Sequence, residues 1–239
     1  AGKKPTDEGD SRLTADQILE FGFENVAIAT GAVWRRDGVA RQHVVPFPMD
    51  RAMPTYTPDD LMAGVVPTGR VVVYDDDHYY MASVLAELLV TKGAEVTFVT
   101  PSAFVSDWTN FTLEQAAVHR RLAALGIKIV LNRGVVEIAA DHVVTNCTYT
   151  DAQTAIAADA VVVVASRSPD DAVYCDLMVR KAEWADAGIK TVRRLGDAEA
   201  PGPIAWATYA GHRYARELDG DDIGDALPFR REIAELAAD

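Results

Sequence analysis

The stretch Arg70–Pro101, RVVVYDDDHYYMASVLAELLVTKGAEVTFVTP, constrains this chain more than any other. Val71, Val72 and Val73 form the β-branched run expected of a strand buried on both faces. After a short turn, Met81, Val84, Leu85, Leu88 and Leu89 recur at helical spacing, which predicts one apolar helix face. Gly93 stops that helix, and Val96, Phe98 and Val99 open a second strand. Strand, helix and strand in this order predict a parallel βαβ unit.

A βαβ unit that binds a dinucleotide carries G-x-G-x-x-G in its first turn, so that the pyrophosphate can approach the backbone at the helix N-terminus. Here the three glycine positions hold Asp75, Asp77 and Tyr80. Two unit charges ~4 Å apart interact by ~1 kcal/mol in water and ~4 kcal/mol at a near-surface dielectric. Three aspartates therefore oppose a phosphate by more than the roughly 0.3–2 kcal/mol a helix N-terminus returns. The second strand ends in Thr100, where an acidic residue would hold a ribose hydroxyl. The outline of the fold is kept and the chemistry of NAD(P) binding is not. Two readings of the aspartates stand side by side: Asp77 as the helix N-cap with its neighbours in a solvated turn, or a divalent-cation site. No further ligand spacing supports a metal, and the capping reading is preferred.

Net charge narrows the function classes. Twenty-three basic residues against 36 acidic ones give −13, which argues against nucleic acid and against an anionic membrane surface as partners. No apolar run reaches the ~18 residues of a membrane span, and the N-terminal AGKKPTDEGD is not a signal peptide. Cys147 and Cys175 have no metal-type spacing and read as two reduced, buried thiols. Together these features predict a cytoplasmic protein.

Along the chain, residues 1–12 read as polar and disordered. Thr14 and Gln17 form a capping box for a helix from Ala15 to Glu20, and Asn25–Thr30 is a strand followed by Gly31. Residues 32–69 carry Pro46, Pro48, Pro54, Pro58 and Pro67 with little periodicity, and read as a long connection containing a short helix capped at Thr57–Asp60. A helix is expected at 112–125 and a strand at 127–131. An antiparallel meander follows at 135–138, 142–149 and 154–156, and Ala160–Ala165 returns to the parallel sheet. Beyond it come a helix near 177–183, a strand at 191–195 and helices at 203–218 and 230–238.

Two remote turns complete the pattern. Ala29-Thr30-Gly31 and Gly196-Asp197-Ala198 each follow a predicted strand, as in a pair of nested dinucleotide domains. The fold class expected is α/β: a Rossmann-like nucleotide-binding domain, three-layered with a mostly parallel sheet and a β-meander, inserted in part of a second FAD/NAD(P)-binding-like domain. Residues 64–166 would form the inserted domain, and 1–63 with 167–239 the remnant of the other. Thr30, Gly31, Gly196 and Asp197 are the candidate cofactor-binding residues. His212, Trp34, Trp184 and Trp206 read as packing residues, and Arg120-Arg121 as a solvated helix face.

The segments FENVAIATGAVWRRDG (21–38, with Phe21 and Gly22 before Phe23), EWADAGIK (183–190), LGDAEAPGPIAWATYAGHRYARELD (195–219) and LPFRRE (227–232) resemble the C-terminal region of the trimethylamine dehydrogenase family of iron–sulfur flavoproteins. The resemblance implies a parent with a β/α barrel carrying FMN and a 4Fe-4S cluster, followed by two nested nucleotide-binding-like domains, one with ADP where relatives hold FAD. It implies oxidative N-demethylation of tri- or dimethylamine-type substrates, electron delivery to an electron-transferring flavoprotein, and a homodimeric parent. On this reading the chain itself carries no catalytic residue, metal or complete cofactor site, and its first partner is the barrel of its parent. The alternative is a pyridine-nucleotide-binding reductase domain of a 2,4-dienoyl-CoA reductase-like enzyme, which the aspartates at 75–77 disfavour.

Overall fold

Arg70–Asp75 is the central strand of a five-stranded parallel sheet in the computed structural model, which describes residues 12–218 and Gly220. The order across the sheet is Thr55–Tyr56, Ala160–Val164, Arg70–Asp75, Glu95–Val99 and Lys128–Val130. All neighbours run parallel, with Val72 opposite Val161 on one side and Thr97 on the other. Because side chains alternate across a strand, Val71 and Val73 join a core with Leu61, Leu85, Leu89 and Leu122 from three helices. Val72 and Tyr74 join a second core with Val135, Ile138 and Val143 from an antiparallel meander. That meander comprises Arg133–Ile138, His142–Cys147 and Gln153–Ala157. The result is an α/β arrangement of helices, parallel sheet and meander in three layers.

The chain divides into two units, Val33–Ser168 and the pair Ala1–Ala32 with Pro169–Asp239. Residues 33–63 belong to the first of these, so the predicted connection is in fact part of a core. Phe47 and Met53 are buried in it, and Thr55–Tyr56 pairs with Val161–Val162 at the sheet edge. The helix Met81–Thr91 buries Ala82, Leu85, Ala86 and Leu89, while Val84 is 58% exposed. Its small alanines, and not the predicted valine, face the sheet. The predicted 112–125 helix is shorter, Gln115–Ala124, and a 3-10 turn at Asp107–Asn110 precedes it.

In the other unit, Asn25–Ile28 and Thr191–Arg194 pair in parallel. Thr14 and Gln17 cap the helix Ala15–Phe21 reciprocally, with the Thr14 N–H donating to Gln17 Oε1 at 2.9 Å. Ile18, Ile28, Leu177, Trp184 and Val192 form the core, and Trp184 Nε1 donates to the Leu177 carbonyl at 2.9 Å. Trp184 thus packs as expected. Trp206 and His212, on the helix Ile204–Glu217, are both exposed, and so is Cys175, while Cys147 is half-buried. The expected disordered start at 1–11 and the helix at 230–238 lie outside the described residues.

Phe98 has no exposed surface and sits beneath the helices. Phe98→Ala should cost about 3–5 kcal/mol of stability in urea unfolding, whereas Val84→Ala should stay within about 0.5 kcal/mol.

Candidate functional site

Both sets of candidate residues sit just past the C-terminal ends of parallel strands, where open α/β sheets bind ligands. In the unit built on Asn25–Ile28 and Thr191–Arg194, the register sets Ile28 opposite Arg194. The turns Thr30-Gly31 and Gly196-Asp197 therefore leave the same edge, and Leu195 N–H donates to the Ile28 carbonyl at 2.8 Å. Gly31 has φ +81 and a Cβ there would meet no atom within 4 Å, so its backbone is both left-handed and open to approach. Gly196 has φ +58, and a Cβ would come 3.2 Å from the Ala207 Cβ of the following helix. Thr30 and Asp197 are already engaged. The Thr30 hydroxyl donates to the Asp170 carbonyl, Asp170 N–H returns a bond to the Gly31 carbonyl at 2.9 Å, and Asp197 Oδ1 accepts from Gly202 N–H at 3.1 Å. The Asp170 clamp lies 140 residues from Thr30 in sequence. Its only trace there is the Ser168-Pro169-Asp170-Asp171 run, read as the lead-in to a helix.

The turn after Arg70–Asp75 is of another kind. Asp76 and Asp77 N–H both donate to the Val164 carbonyl, at 2.9 and 3.1 Å. Asp75 Oδ1 accepts from His78 N–H at 2.8 Å, which bends the chain so that His78 stands at φ +66. Asp76 Oδ2 accepts from Gln42 N–H at 2.9 Å, and its Oδ1 lies 3.3 Å from His78 Nε2. Trp108 N–H donates to the His78 carbonyl at 3.0 Å, and the Tyr80 hydroxyl bonds Thr112 and Glu114. The bend is thus covered by the segment around Gln42 and by the loop at 106–114.

This overturns the capping reading of the aspartates. The helix begins at Met81 with Tyr80 as N-cap, and Asp75 and Asp76 are 0% and 1% exposed. They are structural carboxyls inside the bend, not a solvated turn. Among the described residues no group of three or more His, Cys, Asp and Glu can hold a metal ion.

Burial also changes the charge argument. It pushes the Asp75 carboxyl up to about 7, even though His78 pulls the other way. Burial likewise raises Asp77, against the pull of Arg167 and Arg41. Burial disfavours His78 protonation, yet the Asp76 and Asp75 carboxylates outweigh it and raise the imidazole. The bend thus repels a phosphate by filling its place more than by three full charges.

The titration has a definite sign. Asp75 is raised, so the folded state keeps a proton that the unfolded chain loses between about pH 4 and 7, and stability falls across that window as pH rises. The raised His78 contributes stability below its unfolded value, which is lost as pH climbs through the folded one. Asp75→Asn keeps an oxygen for His78 N–H and removes the buried charge. Relative to the parent chain it should gain about 1–4 kcal/mol in urea unfolding at alkaline pH and much less in acid. An equal effect at both ends would show that Asp75 does not titrate in the bend.

Residues 56–158 match the family of the OYE-like second alpha/beta domain. The chain is 34% identical to dimethylamine dehydrogenase of Hyphomicrobium sp. (strain x) over 241 aligned positions, 92% of this chain and 33% of that protein. It superposes on histamine dehydrogenase from Rhizobium sp. 4-9 with TM-score 0.90 and 62% identity, covering 96% of this chain and 36% of the other. The structure of 6-hydroxypseudooxynicotine amine oxidase from Pseudomonas geniculata N1 gives TM-score 0.79 and 38% identity, over 84% of this chain and 30% of that one. The chain therefore spans about a third of the length of these relatives. Over that third it is homologous to a C-terminal region of dimethylamine and histamine dehydrogenases of the trimethylamine dehydrogenase family.

Proposed function

We propose that this chain is the C-terminal nucleotide-fold module of an iron–sulfur flavoprotein amine dehydrogenase and is non-catalytic by itself. The observation that carries this reading is the 62% identity to histamine dehydrogenase across nearly the whole chain. The parent oxidises an amine at an FMN held, with a 4Fe-4S cluster, by a barrel outside this sequence, and passes electrons to an electron-transferring flavoprotein. Bound FMN supplies the electron acceptor for the amine. The two cysteines of this chain are too few for a four-cysteine cluster. Histamine comes before methylated amines as the substrate to test, on the same identity. The parent is cytoplasmic and homodimeric on this reading.

Within the module, Val33–Ser168 is a Rossmann-like domain, 64–166 at its centre, that has given up pyridine nucleotide. The discontinuous unit is the remnant of an FAD/ADP-binding-like domain. Its residues fit an ADP or FAD phosphate group in one respect that matters: Gly31 leaves open space over a left-handed backbone at a strand end. Thr30, Gly196 and Asp197 shape the edge around it.

Joined to its natural upstream sequence, the protein should bleach its flavin on anaerobic addition of histamine or dimethylamine, and NADH or NADPH should neither reduce it nor bind saturably at millimolar concentration. Saturable NADH binding that survives removal of the upstream sequence would favour the dienoyl-reductase-type alternative.

In the same protein ADP should bind, and Asp197→Ala should weaken it by about 1–3 kcal/mol in calorimetry. Asp197→Asn, which keeps an acceptor for Gly202 N–H, separates loss of the loop from loss of a ligand contact. If both variants bind ADP as the parent does, Asp197 is no part of the site.

A further inference from the structure

In the Val33–Ser168 unit a cavity of about 440 Å³ opens between the parallel sheet and the meander. It lies where Arg70, Glu95 and Lys128 begin their strands, at the opposite end of Arg70–Asp75 from the carboxylate bend. Its mouth is bounded by two sheet edges, Lys128–Val130 and Gln153–Ala157. The volume falls within the range of small-molecule sites.

The lining runs against the charge of the chain. The sequence carries −13, yet Arg70, Lys128 and Arg133 face a single lining carboxylate, Glu95. Arg70 is already neutralised: its Nε and Nη2 donate to Asp159 at 3.1 and 2.6 Å. Arg133 is tethered by Nη1 to the Ala152 carbonyl, a neutral acceptor that fixes the guanidinium and leaves its charge unbalanced. Among the described residues neither Arg133 nor Lys128 forms an ion pair. Val130 and Ile156 give the cavity an apolar floor, and Thr97 and Thr154 add hydroxyls. Two cations against one carboxylate leave net positive charge over such a floor, which suits one anionic group on a small organic body. Glu95 disfavours a second anionic group and accepts from a hydroxyl or ammonium.

We propose that this cavity binds a single anionic group, a carboxylate or a phosphate ester on a hydroxyl- or amine-bearing body, through Lys128 and Arg133. Lactate and glycerol 3-phosphate are suitable probes, each titrated into the chain at constant ionic strength and followed by backbone amide shifts. At least one should give saturable shifts centred on residues 128–133 and 153–157, and the better of the two identifies the class. Lys128→Ala and Arg133→Gln should each weaken that binding roughly tenfold or more, as loss of a charge-assisted contact does. Arg133→Lys should retain most of it, which keeps the test valid if the Gln variant is unstable. Lys92→Ala, a surface cation on another element, should change nothing. Absence of saturation with both probes, or a response that chloride reproduces or that Arg133→Gln leaves intact, would overturn the proposal.

Discussion

Burial of the Arg70–Asp75 strand on both faces is the constraint from which the rest of the Val33–Ser168 unit follows. A parallel strand flanked by two others spends its backbone groups on its neighbours, and its side chains must fill a core above and a core below. Val71 and Val73 do so on the helix side and Val72 and Tyr74 on the meander side. A strand with no solvent face cannot end gently. Its last residue, Asp75, is drawn into the same dry layer, and burial lifts its carboxyl toward neutrality. The bend, the left-handed His78 and the covering loop are the local means of accommodating that carboxyl.

Much of this was legible in the residues, because strand burial and helix period are local signals. The valine run, the AVVVVA return strand and the Thr14–Gln17 capping box each announce an element within a few positions. What stayed hidden depends on partners far along the chain. Phe47 and Met53 enter a core from a proline-rich stretch without periodicity, and Thr55–Tyr56 is too short to signal a strand. Val84 is exposed although the helical spacing places it on the apolar face, because Ala82 and Ala86 pack there instead and alanine carries little hydropathy signal. The fate of the aspartates turned on Gln42, 34 residues away. Nothing in an Asp-Asp-Asp run indicates that a remote amide will claim one of its oxygens.

The two strand-end turns show how little separates an open crevice from a closed one. Gly31 and His78 both stand at positive φ, a conformation glycine adopts freely and histidine at a cost of about 1–3 kcal/mol. At Gly31 no side chain projects from the bend. At His78 an imidazole projects from it, with Nε2 3.3 Å from Asp76 Oδ1, while the His78 backbone N–H donates to Asp75. The first can admit a ligand to the backbone. The second is filled by its own side chains, and the N–H groups of Asp76, Asp77 and His78 are satisfied within the chain.

Restoring the three fingerprint glycines at Asp75, Asp77 and Tyr80 would therefore not by itself restore a dinucleotide site. Removing Asp75 frees the His78 N–H, yet Trp108 N–H still holds the His78 carbonyl, and Gln42 N–H still holds Asp76. The 106–114 loop is held at Trp108 by a backbone–backbone bond that no side-chain substitution deletes, and the Gln42 segment is held by the Asp76 side chain, which these three changes leave in place. Glycine at Tyr80 would release Thr112 and Glu114 and loosen the loop at one point, but each glycine also adds backbone freedom to the unfolded state, at roughly 0.5–1 kcal/mol per position. A reopened crevice needs the Gln42 segment and the 106–114 loop moved aside as well. The closure is a property of three segments that meet over the end of one buried strand, and the fingerprint positions are only the part of it that a linear motif can describe.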